Sequence, residues 1–291
     1  MMEQIYWDKL RVLVTNKCNY RCPFCHNEGQ EKSDSTDMMS ASDFYRFADI
    51  IKEQPLSELN FSGGEPFMNK EITDMILYAT DNLSCDISCA TNLSMLTDEQ
   101  ISKLAGTRLK FNIQFPYISD ELFHKSTGNG KLPLILSKIK RVREAGLSIG
   151  LNTVIQSDDA QIYRDMILFA INEELPLKLL PQIGLPGSSK FKEFIYPILK
   201  EYVIEFKDKK SGATRWVLEK DGHKTSVLYI DSPCFNKDFE QCRNFAELRV
   251  LPDFSLQSCI LKDSDVKLNL AAGKDYVLKQ LQESWTSFKN C

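Results

Sequence analysis

Three cysteines lie close together near the start of the chain, in Cys18-Asn19-Tyr20-Arg21-Cys22-Pro23-Phe24-Cys25. Thiolate sulfur is a soft ligand, suited both to zinc and to iron–sulfur clusters. A structural zinc site normally takes four protein ligands, and the local fourth is missing, because strain disfavours a contribution from the adjacent His26. In a four-iron cluster, three cysteines would leave one iron open for a further ligand. The spacing therefore favours a [4Fe–4S] cluster over zinc or a chance grouping.

The composition is that of a cytoplasmic protein. The 291 residues suffice for one large domain, or for one domain with a small extension. The net charge of −4 argues against a nucleic-acid partner. No apolar run approaches the roughly 20 residues of a membrane span, and the charged N-terminus lacks the apolar core of a secretion signal, so we expect no membrane partner. Cysteines in a reducing compartment favour metal sites over disulfides.

Strands and helices alternate over the first two thirds of the chain. The patterns predict strands at 10–15, 59–61, 85–90, 109–115, 147–155 and 177–180. They predict helices at 42–52, 71–79, 134–144 and 162–174, and one more that begins after an N-cap at Thr97. Six β/α units in series indicate a parallel sheet covered by helices. In such folds ligands bind at the carboxyl ends of the strands.

The alternation ends at a linker, residues 184–189, rich in glycine, proline and serine. We therefore divide the chain into a barrel domain, 1–186, and a C-terminal extension, 187–291. The extension is predicted to contain a helix at 191–207, hairpins at 215–230 and 246–259, and a helix at 275–288. The first hairpin would turn at Asp221-Gly222 and the second near Pro252-Asp253.

Two further loops follow predicted strands. Ser62-Gly63-Gly64-Glu65-Pro66 follows the second strand, where the glycines would let a ligand approach the backbone and Glu65 could accept a hydrogen bond from an ammonium group. Thr91-Asn92 follows the third strand. Taken singly, each loop could be an ordinary turn.

Together, the cysteine spacing, the aromatic residue before the last cysteine and the Gly-Gly-Glu-Pro run resemble the radical S-adenosylmethionine (SAM) superfamily. Further stretches resemble its GTP 3′,8-cyclases of molybdenum-cofactor biosynthesis: Leu10-Arg11, Thr15-Asn16-Lys17-Cys18, His26-Asn27-Glu28-Gly29, Ser126-Thr127-Gly128 and Leu151-Asn152-Thr153-Val154. The likeness spans roughly residues 9 to 184 and extends more loosely to Cys259. It implies an α/β fold: a partial (β/α)6 TIM-like barrel with a small C-terminal extension of hairpins and a helix.

The resemblance also implies a radical SAM oxidoreductase or lyase. Cys18, Cys22 and Cys25 would bind the [4Fe–4S] cluster, whose open iron would chelate the amino and carboxylate groups of SAM. The residues that would contact SAM are Phe24 near the adenine, Gly63, Gly64 and Glu65 at the amino end, Asn92, and Gln114, where the family usually has Ser. An electron donor such as flavodoxin or ferredoxin would drive cleavage of SAM to a 5′-deoxyadenosyl radical, which abstracts hydrogen from the substrate.

The family resemblance extends to a second cysteine group, Cys234, Cys242 and Cys259. In the cyclases, three cysteines of the extension, which is of the twitch or SPASM type, hold an auxiliary [4Fe–4S] cluster. The spacing here differs from theirs, so a zinc site or unligated buried cysteines stay as alternatives. Cys291 could supply a fourth ligand. Cys85 and Cys89 would share one face of a strand, and we interpret them as core residues.

The expected substrate differs from GTP. Arg11 and Arg249 match basic substrate positions of the cyclases, but Asn60, Gly150 and Glu247 stand where basic residues are usual. Lys178 is the first residue to examine as a replacement cation. We expect a small-molecule or nucleoside-type substrate; a peptide maturase is the alternative, disfavoured because Cys18 comes too early for a leader-binding domain. A non-catalytic iron–sulfur or zinc protein is the alternative of another class. The sequence assigns no catalytic residue.

Overall fold

A computed structural model describes residues 8–25, 38–210, 212–235, 242, 247–260 and 266–286. Within these ranges twelve strands form one sheet, in the order β12-β11-β10-β1-β2-β3-β4-β5-β6-β9-β8-β7. The strands are β1 Lys9–Leu13, β2 Glu58–Ser62, β3 Asp86–Thr91, β4 Lys110–Gln114, β5 Ser148–Ile155, β6 Leu177–Pro181, β7 Val203–Asp208, β8 Ala213–Lys220, β9 His223–Ile230, β10 Leu248–Val250, β11 Ser255–Gln257 and β12 Val266–Lys267.

The six predicted strands are confirmed as a parallel array. Each of β1 to β5 pairs in parallel with the next strand along the chain, so that Val12 lies beside Phe61 and Phe61 beside Cys89. The array does not close, because β1 pairs on its outer edge with β10 and β6 pairs with β9. The fold is therefore the expected partial barrel, with an open sheet.

Eight α-helices cover the described part of the sheet. They are α1 Ala41–Ile51, α2 Ile72–Asn82, α3 Asp98–Leu104, α4 Asp120–Thr127, α5 Leu132–Glu144, α6 Ala160–Asn172, α7 Lys192–Lys200 and α8 Lys274–Thr286. Polar side chains cap several of them: the Ser40 hydroxyl accepts from the Asp43 N–H, and Thr97 forms a capping box with Gln100. The cap predicted at Thr97 is confirmed. None of the helices in the described ranges is long and apolar enough to cross a membrane.

One predicted helix is wrong over its second half. Helix α7 ends at Lys200, and Val203–Asp208 forms the edge strand β7 instead. This segment pairs antiparallel with β8, and Phe206 packs on Trp216 with ring centroids 4.6 Å apart. Long-range pairing thus outweighs the helical spacing that continues from α7. The sequence analysis also missed α4, although Ser119 caps its start and Gly128 ends it in a left-handed conformation.

Both predicted hairpins of the extension are confirmed. Asp221 and Gly222 have positive φ angles of 52° and 85°, as a tight two-residue turn between β8 and β9 requires. The second hairpin joins β10 to β11. The extension continues the barrel sheet at both edges, through the β6–β9 and β1–β10 pairs. The division at residue 186 stays a prediction.

The two faces of the parallel strands differ in polarity. Leu10 and Val12 of β1 are fully buried, and the core continues into α1 through Phe44 and Phe47. Cys85 and Cys89 are buried in this core, as predicted. On the other face, neighbouring strands carry polar side chains, with Arg11 beside Asn60. A polar interior of this kind can hold a charged ligand.

Candidate functional site

The cysteine loop, residues 14–25, follows β1 at the carboxyl end of the sheet. Its cysteines stand at two local turns: the Tyr20 N–H donates to Cys18 Sγ at 3.4 Å, and the Cys25 N–H donates to the Cys22 carbonyl at 3.1 Å. Cys22 and Phe24 are buried, whereas Cys18 and Cys25 are half-buried. His26 to Gly29, part of the cyclase-like sequence, lie outside the described residues. The loop thus presents three thiols from one short stretch of backbone.

Gly63 and Gly64 pack directly against the cysteine loop. The Gly64 N–H donates to the Thr15 carbonyl at 2.9 Å, and the Glu65 N–H donates to the Lys17 carbonyl at 2.8 Å. A Cβ at position 64 would lie 2.2 Å from the Lys17 oxygen, and one at position 63 would lie 2.4 Å from the Thr15 oxygen. The two glycines are therefore required by the protein's own backbone, in addition to any ligand that approaches them.

Glu65 links the loops after β2 and β3. Its buried carboxylate accepts from the Phe67 N–H at 3.1 Å, the Thr91 hydroxyl at 2.6 Å and the Asn92 N–H at 2.7 Å. Burial raises the pKa of Glu65, although the three donors act to lower it. The carboxylate is turned inward and already accepts three hydrogen bonds, and its contact with an ammonium group stays a prediction.

Asn92 connects the loop after β3 to the cysteine loop. Its Nδ2 donates to Asn19 Oδ1 at 3.0 Å, and the Asn19 Nδ2 donates to Ser94 Oγ at 2.7 Å. The Ser94 hydroxyl donates to Asn92 Oδ1 at 2.6 Å. Each of these polar groups is thus paired within the protein. Asn92 supports the loop from within, a role that its position after a strand did not predict.

The loop after α4 holds the cysteine loop from another side. The Arg21 N–H donates to the Thr127 carbonyl at 2.8 Å, and Asn129 Nδ2 donates to the Asn19 carbonyl at 2.7 Å. Gly128, between them, lies so close to Arg21 that a Cβ would be 3.1 Å from that residue's own Cβ. Three separate loops thus fix the chain between Thr15 and Arg21.

The thiols lie in a low-dielectric setting and influence one another. Burial raises the pKa of Cys18 to about 11 and that of Cys22 to about 12, and the other thiols of the loop add to both effects. Thiolates that bind metal must lose these protons, so metal loading would release them to solvent. Metal binding by these thiols would therefore depend on pH.

The three thiols can be compared with the ligand requirements of zinc and of a four-iron cluster. Among the residues that the structure describes, no group of three His, Cys, Asp or Glu side chains is arranged to hold one ion. Zinc would draw three sulfurs onto one centre, at about 2.3 Å each. A four-iron cluster instead offers each cysteine its own iron, so it needs no such convergence. Three thiols from one short loop are thus a donor set that fits a [4Fe–4S] cluster with one open iron.

Gln114 has an unused donor near the same edge of the sheet. It is the last residue of β4, and its buried Nε2 has no hydrogen-bond partner among the described residues. A buried donor without a partner costs roughly 1–3 kcal/mol, so a ligand that accepts from it would be stabilised. Gln114 thus fits the predicted contact with SAM.

Charged side chains collect on the polar face of the sheet. Arg11 lies beside Arg249 in the parallel β1–β10 register, and its Nε donates to Glu247 Oε2 at 2.6 Å. Burial acts to raise the pKa of Glu247, but the charges of Arg11, Lys178 and Arg249 outweigh it and hold that pKa below its ordinary value. Burial lowers the pKa of Lys178, which also interacts with Arg11 and Glu247. Arg11, Arg249 and Lys178 are therefore brought together.

The second cysteine group is described only in part. Cys234 follows β9 in a short helical turn, Pro233–Phe235, and Cys259 follows β11 and is buried. Cys242 is half-buried, but residues 236–241 and 243–246 lie outside the described residues, as does Cys291. The common site for Cys234, Cys242 and Cys259 stays a prediction.

Comparison with known proteins identifies the group to which these features belong. The sequence model of the radical SAM superfamily matches residues 12–166, more than half of the chain. A probable GTP 3′,8-cyclase of Methanococcus aeolicus is 27% identical over 277 residues, covering 91% of this chain and 90% of that protein. One of Sulfurisphaera tokodaii is 28% identical over 286 residues, covering 94% and 88%.

Solved structures share the fold. Streptococcus suis SuiB bound to S-adenosylmethionine superposes with a TM-score of 0.73 at 14% identity, over 94% of this chain and 65% of SuiB. The anSMEcpe enzyme with bound AdoMet gives a TM-score of 0.66 at 14% identity, over 96% of this chain and 82% of its own. At these identities the likeness supports the fold alone.

We predict that Gly64→Ala prevents correct formation of the cysteine loop. The added Cβ would overlap the Lys17 carbonyl, so the loop must shift and the Gly64 and Glu65 hydrogen bonds weaken. Iron and sulfide per chain after anaerobic reconstitution should fall by about half, as expected when the first of two four-iron clusters is lost. Gly150→Ala is the matched control, because its Cβ would meet the flexible end of Lys110 at 3.4 Å and Asn112 Oδ1 at 3.8 Å, both ordinary contacts. Equal iron contents in the two variants would contradict the prediction.

Proposed function

This chain belongs to the radical SAM superfamily, and from that premise we propose that it abstracts hydrogen from a small-molecule or nucleoside-type substrate with one anionic group. The superfamily match makes the chain an enzyme that uses a [4Fe–4S] cluster and SAM. The proposal concerns the residues that hold these groups and the substrate that the pocket accepts. Its main support is the Arg11–Glu247 ion pair within a cluster of cations.

Under this proposal Cys18, Cys22 and Cys25 each bind one iron, and the fourth iron is left for SAM. When bound and reduced, the cluster supplies the electron that cleaves SAM to methionine and a 5′-deoxyadenosyl radical, which takes a hydrogen atom from the substrate. The protein's part is to hold the three thiols and exclude water. The contacts from Gly64, Asn92 and Thr127 to the cysteine loop support that task.

SAM would be held at the carboxyl ends of β2 to β4. Because the Glu65 carboxylate is turned inward, the amino end of SAM would meet the backbone of Gly63 and Gly64. Gln114 Nε2 would supply a donor, and buried Phe24 would pack near the adenine. Asn92 would act through the backbone beside it, since its side chain is bonded to Asn19 and Ser94.

The substrate would lie over the charged face of the sheet. This face carries four cations and two carboxylates, which gives the group a net charge of about +2. The cations are Arg11, Lys110, Lys178 and Arg249, and the carboxylates are Glu58 and Glu247. Glu247 occupies the Nε edge of Arg11, which reduces the attraction for a further anion. One carboxylate or phosphate monoester matches this balance, whereas a triphosphate carries up to four negative charges. An oxidoreductase or lyase reaction would follow hydrogen abstraction.

An auxiliary [4Fe–4S] cluster at Cys234, Cys242 and Cys259 completes the proposal. Cys234 and Cys259 both follow strands that extend the barrel sheet, so both stand at strand ends. The GTP 3′,8-cyclase-like sequence supports a second cluster, although the cysteine spacing is different. Reduction would come from an electron donor such as flavodoxin or ferredoxin.

We predict that replacing Cys18, Cys22 and Cys25 together by Ala abolishes SAM cleavage, because no thiolate remains to bind the first cluster. Reconstituted protein is incubated anaerobically with dithionite and SAM, and 5′-deoxyadenosine is quantified. The control is Cys85→Ala, which removes a buried thiol outside the loop and should keep at least half of the wild-type rate. Wild-type product from the triple variant would refute this assignment.

We predict that the Cys234, Cys242 and Cys259 triple Ala variant loses about half of its iron and sulfide, as expected when one of two four-iron clusters is removed. Iron, sulfide and zinc are measured per chain, and SAM cleavage verifies that the first cluster is intact. Stoichiometric zinc in the native protein, or unchanged iron in the variant, would contradict the auxiliary cluster.

We predict that the enzyme does not cyclise GTP. Each lost charge-assisted contact costs roughly 1.5–3 kcal/mol, so three lost cations weaken triphosphate binding by several orders of magnitude, even when non-additivity is allowed for. The assay follows the cyclised nucleotide and deuterium transfer from ribose C3′ to 5′-deoxyadenosine. In Glu247→Gln, which removes the competing carboxylate, GTP should bind about tenfold more tightly. Turnover matching that of a true cyclase would overturn the substrate assignment.

A further inference from the structure

Lys138 of α5 makes three hydrogen bonds to one loop. Its ammonium donates to the carbonyl oxygens of Leu93 at 3.1 Å, Ser94 at 2.6 Å and Leu96 at 2.6 Å. An ammonium has three donors, so this geometry uses them all. The loop is the one that follows β3 and carries Asn92 and Ser94, and we refer to residues 92–96 as the β3 loop.

The β3 loop needs such support because its backbone is strained and its carbonyls converge. Leu93 has a φ angle of 61°, a left-handed conformation that costs a residue with a Cβ about 1–2 kcal/mol. Its side chain is fully buried, which fixes the loop against the core. Three carbonyl oxygens within reach of one atom repel one another unless a positive charge lies between them. The Lys138 ammonium supplies that charge.

A buried carboxylate holds the same loop from the other side. Glu65 accepts from the Thr91 hydroxyl and the Asn92 N–H, so the β3 loop lies between an acid and a base that attract each other. Burial lowers the pKa of Lys138, while Asp98 and Glu65 act to raise it. The loop is therefore fixed from β2 and from α5 together.

The β3 loop is hydrogen-bonded in turn to the cysteine loop. The Ser94 hydroxyl accepts from Asn19 Nδ2 and donates to Asn92 Oδ1, and Asn92 Nδ2 donates to Asn19 Oδ1. Asn19 lies between Cys18 and Cys22. A continuous set of hydrogen bonds therefore runs from the Lys138 ammonium to the backbone that carries two of the three thiols.

We propose that Lys138 is a positioning residue for the cluster: it fixes the β3 loop so that Asn92 and Ser94 hold Asn19 and, with it, the cysteine loop. The inference rests on the cluster assignment at Cys18, Cys22 and Cys25, but on no particular substrate. It also requires an ammonium at this position. A Met side chain would leave the three carbonyls without their donor, and a planar guanidinium cannot direct three N–H groups from one atom.

The first measurement is hydrogen–deuterium exchange of the metal-free protein. In Lys138→Met the amides of residues 18–22 and of the β3 loop should exchange at least tenfold faster than in the wild type. Lys140→Met is the matched control: it removes an exposed lysine of the same helix, paired only loosely with Glu144 at 3.8 Å, and should leave both segments unchanged. Lys138→Arg should give intermediate exchange rates.

The second measurement uses the reconstituted protein. In Lys138→Met the KM for SAM should rise about tenfold with a smaller change in kcat, and the electron paramagnetic resonance spectrum of the reduced cluster with SAM should shift. A double variant, Asn92→Ala with Ser94→Ala, removes both hydrogen bonds to the Asn19 side chain without touching α5. It should speed exchange at residues 18–22 even if Lys138→Met fails to fold.

Unchanged exchange at residues 18–22 in a folded Lys138→Met protein overturns the inference, as does unchanged exchange there in the Asn92→Ala, Ser94→Ala double variant. If the wild type fails to cleave SAM, the proposed function fails instead. The exchange rates of the metal-free protein still decide the role of Lys138 in that case, so the two failures are distinct.

Discussion

The close backbone contact between the cysteine loop and Gly63-Gly64 is the constraint on which the rest of the site depends. Two short hydrogen bonds, from the N–H groups of Gly64 and Glu65, fix the loop to the end of β2, and no side chain larger than hydrogen fits between the two segments. Once the segments are joined, the Glu65 carboxylate reaches the end of β3. The position of the cysteine loop is therefore set by the parallel strands to which it is hydrogen-bonded.

The buried charges on the polar face of the sheet are a second constraint on the structure. A buried arginine is stable only when it is paired or meets an anion, and Arg249 and Arg11 lie side by side. Glu247 and Lys178 share this region, so the cluster offsets only part of its own positive charge before any ligand enters. A site built in this way distinguishes ligands by their number of charges as well as by shape. The same barrel can thus serve different substrates through changes at a few strand positions.

The sequence predicted the features that rest on local pattern or on residue type. The parallel strands follow from apolar runs, the cluster from the cysteine spacing, and the first hairpin from Asp221-Gly222. Features created by contacts between distant segments could not be predicted. Strand β7 forms because it pairs with β8, and Glu65 is turned inward because Thr91 and Asn92 provide its donors. Lys138 resembles any other lysine of an amphipathic helix, and only the folded chain reveals the carbonyls that it binds.

The pairing of β1 with β10 also affects the order in which contacts form during translation. Leu10 is translated well over 200 residues before its neighbour in the sheet, Leu248. Until then the outer edge of β1 has no partner, and an unpaired strand edge invites association with other nascent chains. The cysteine loop and its glycine contacts are complete much earlier. The backbone contacts that hold the cysteine loop therefore form independently of β10, whereas Arg11 and Arg249 meet only after β10 has been translated.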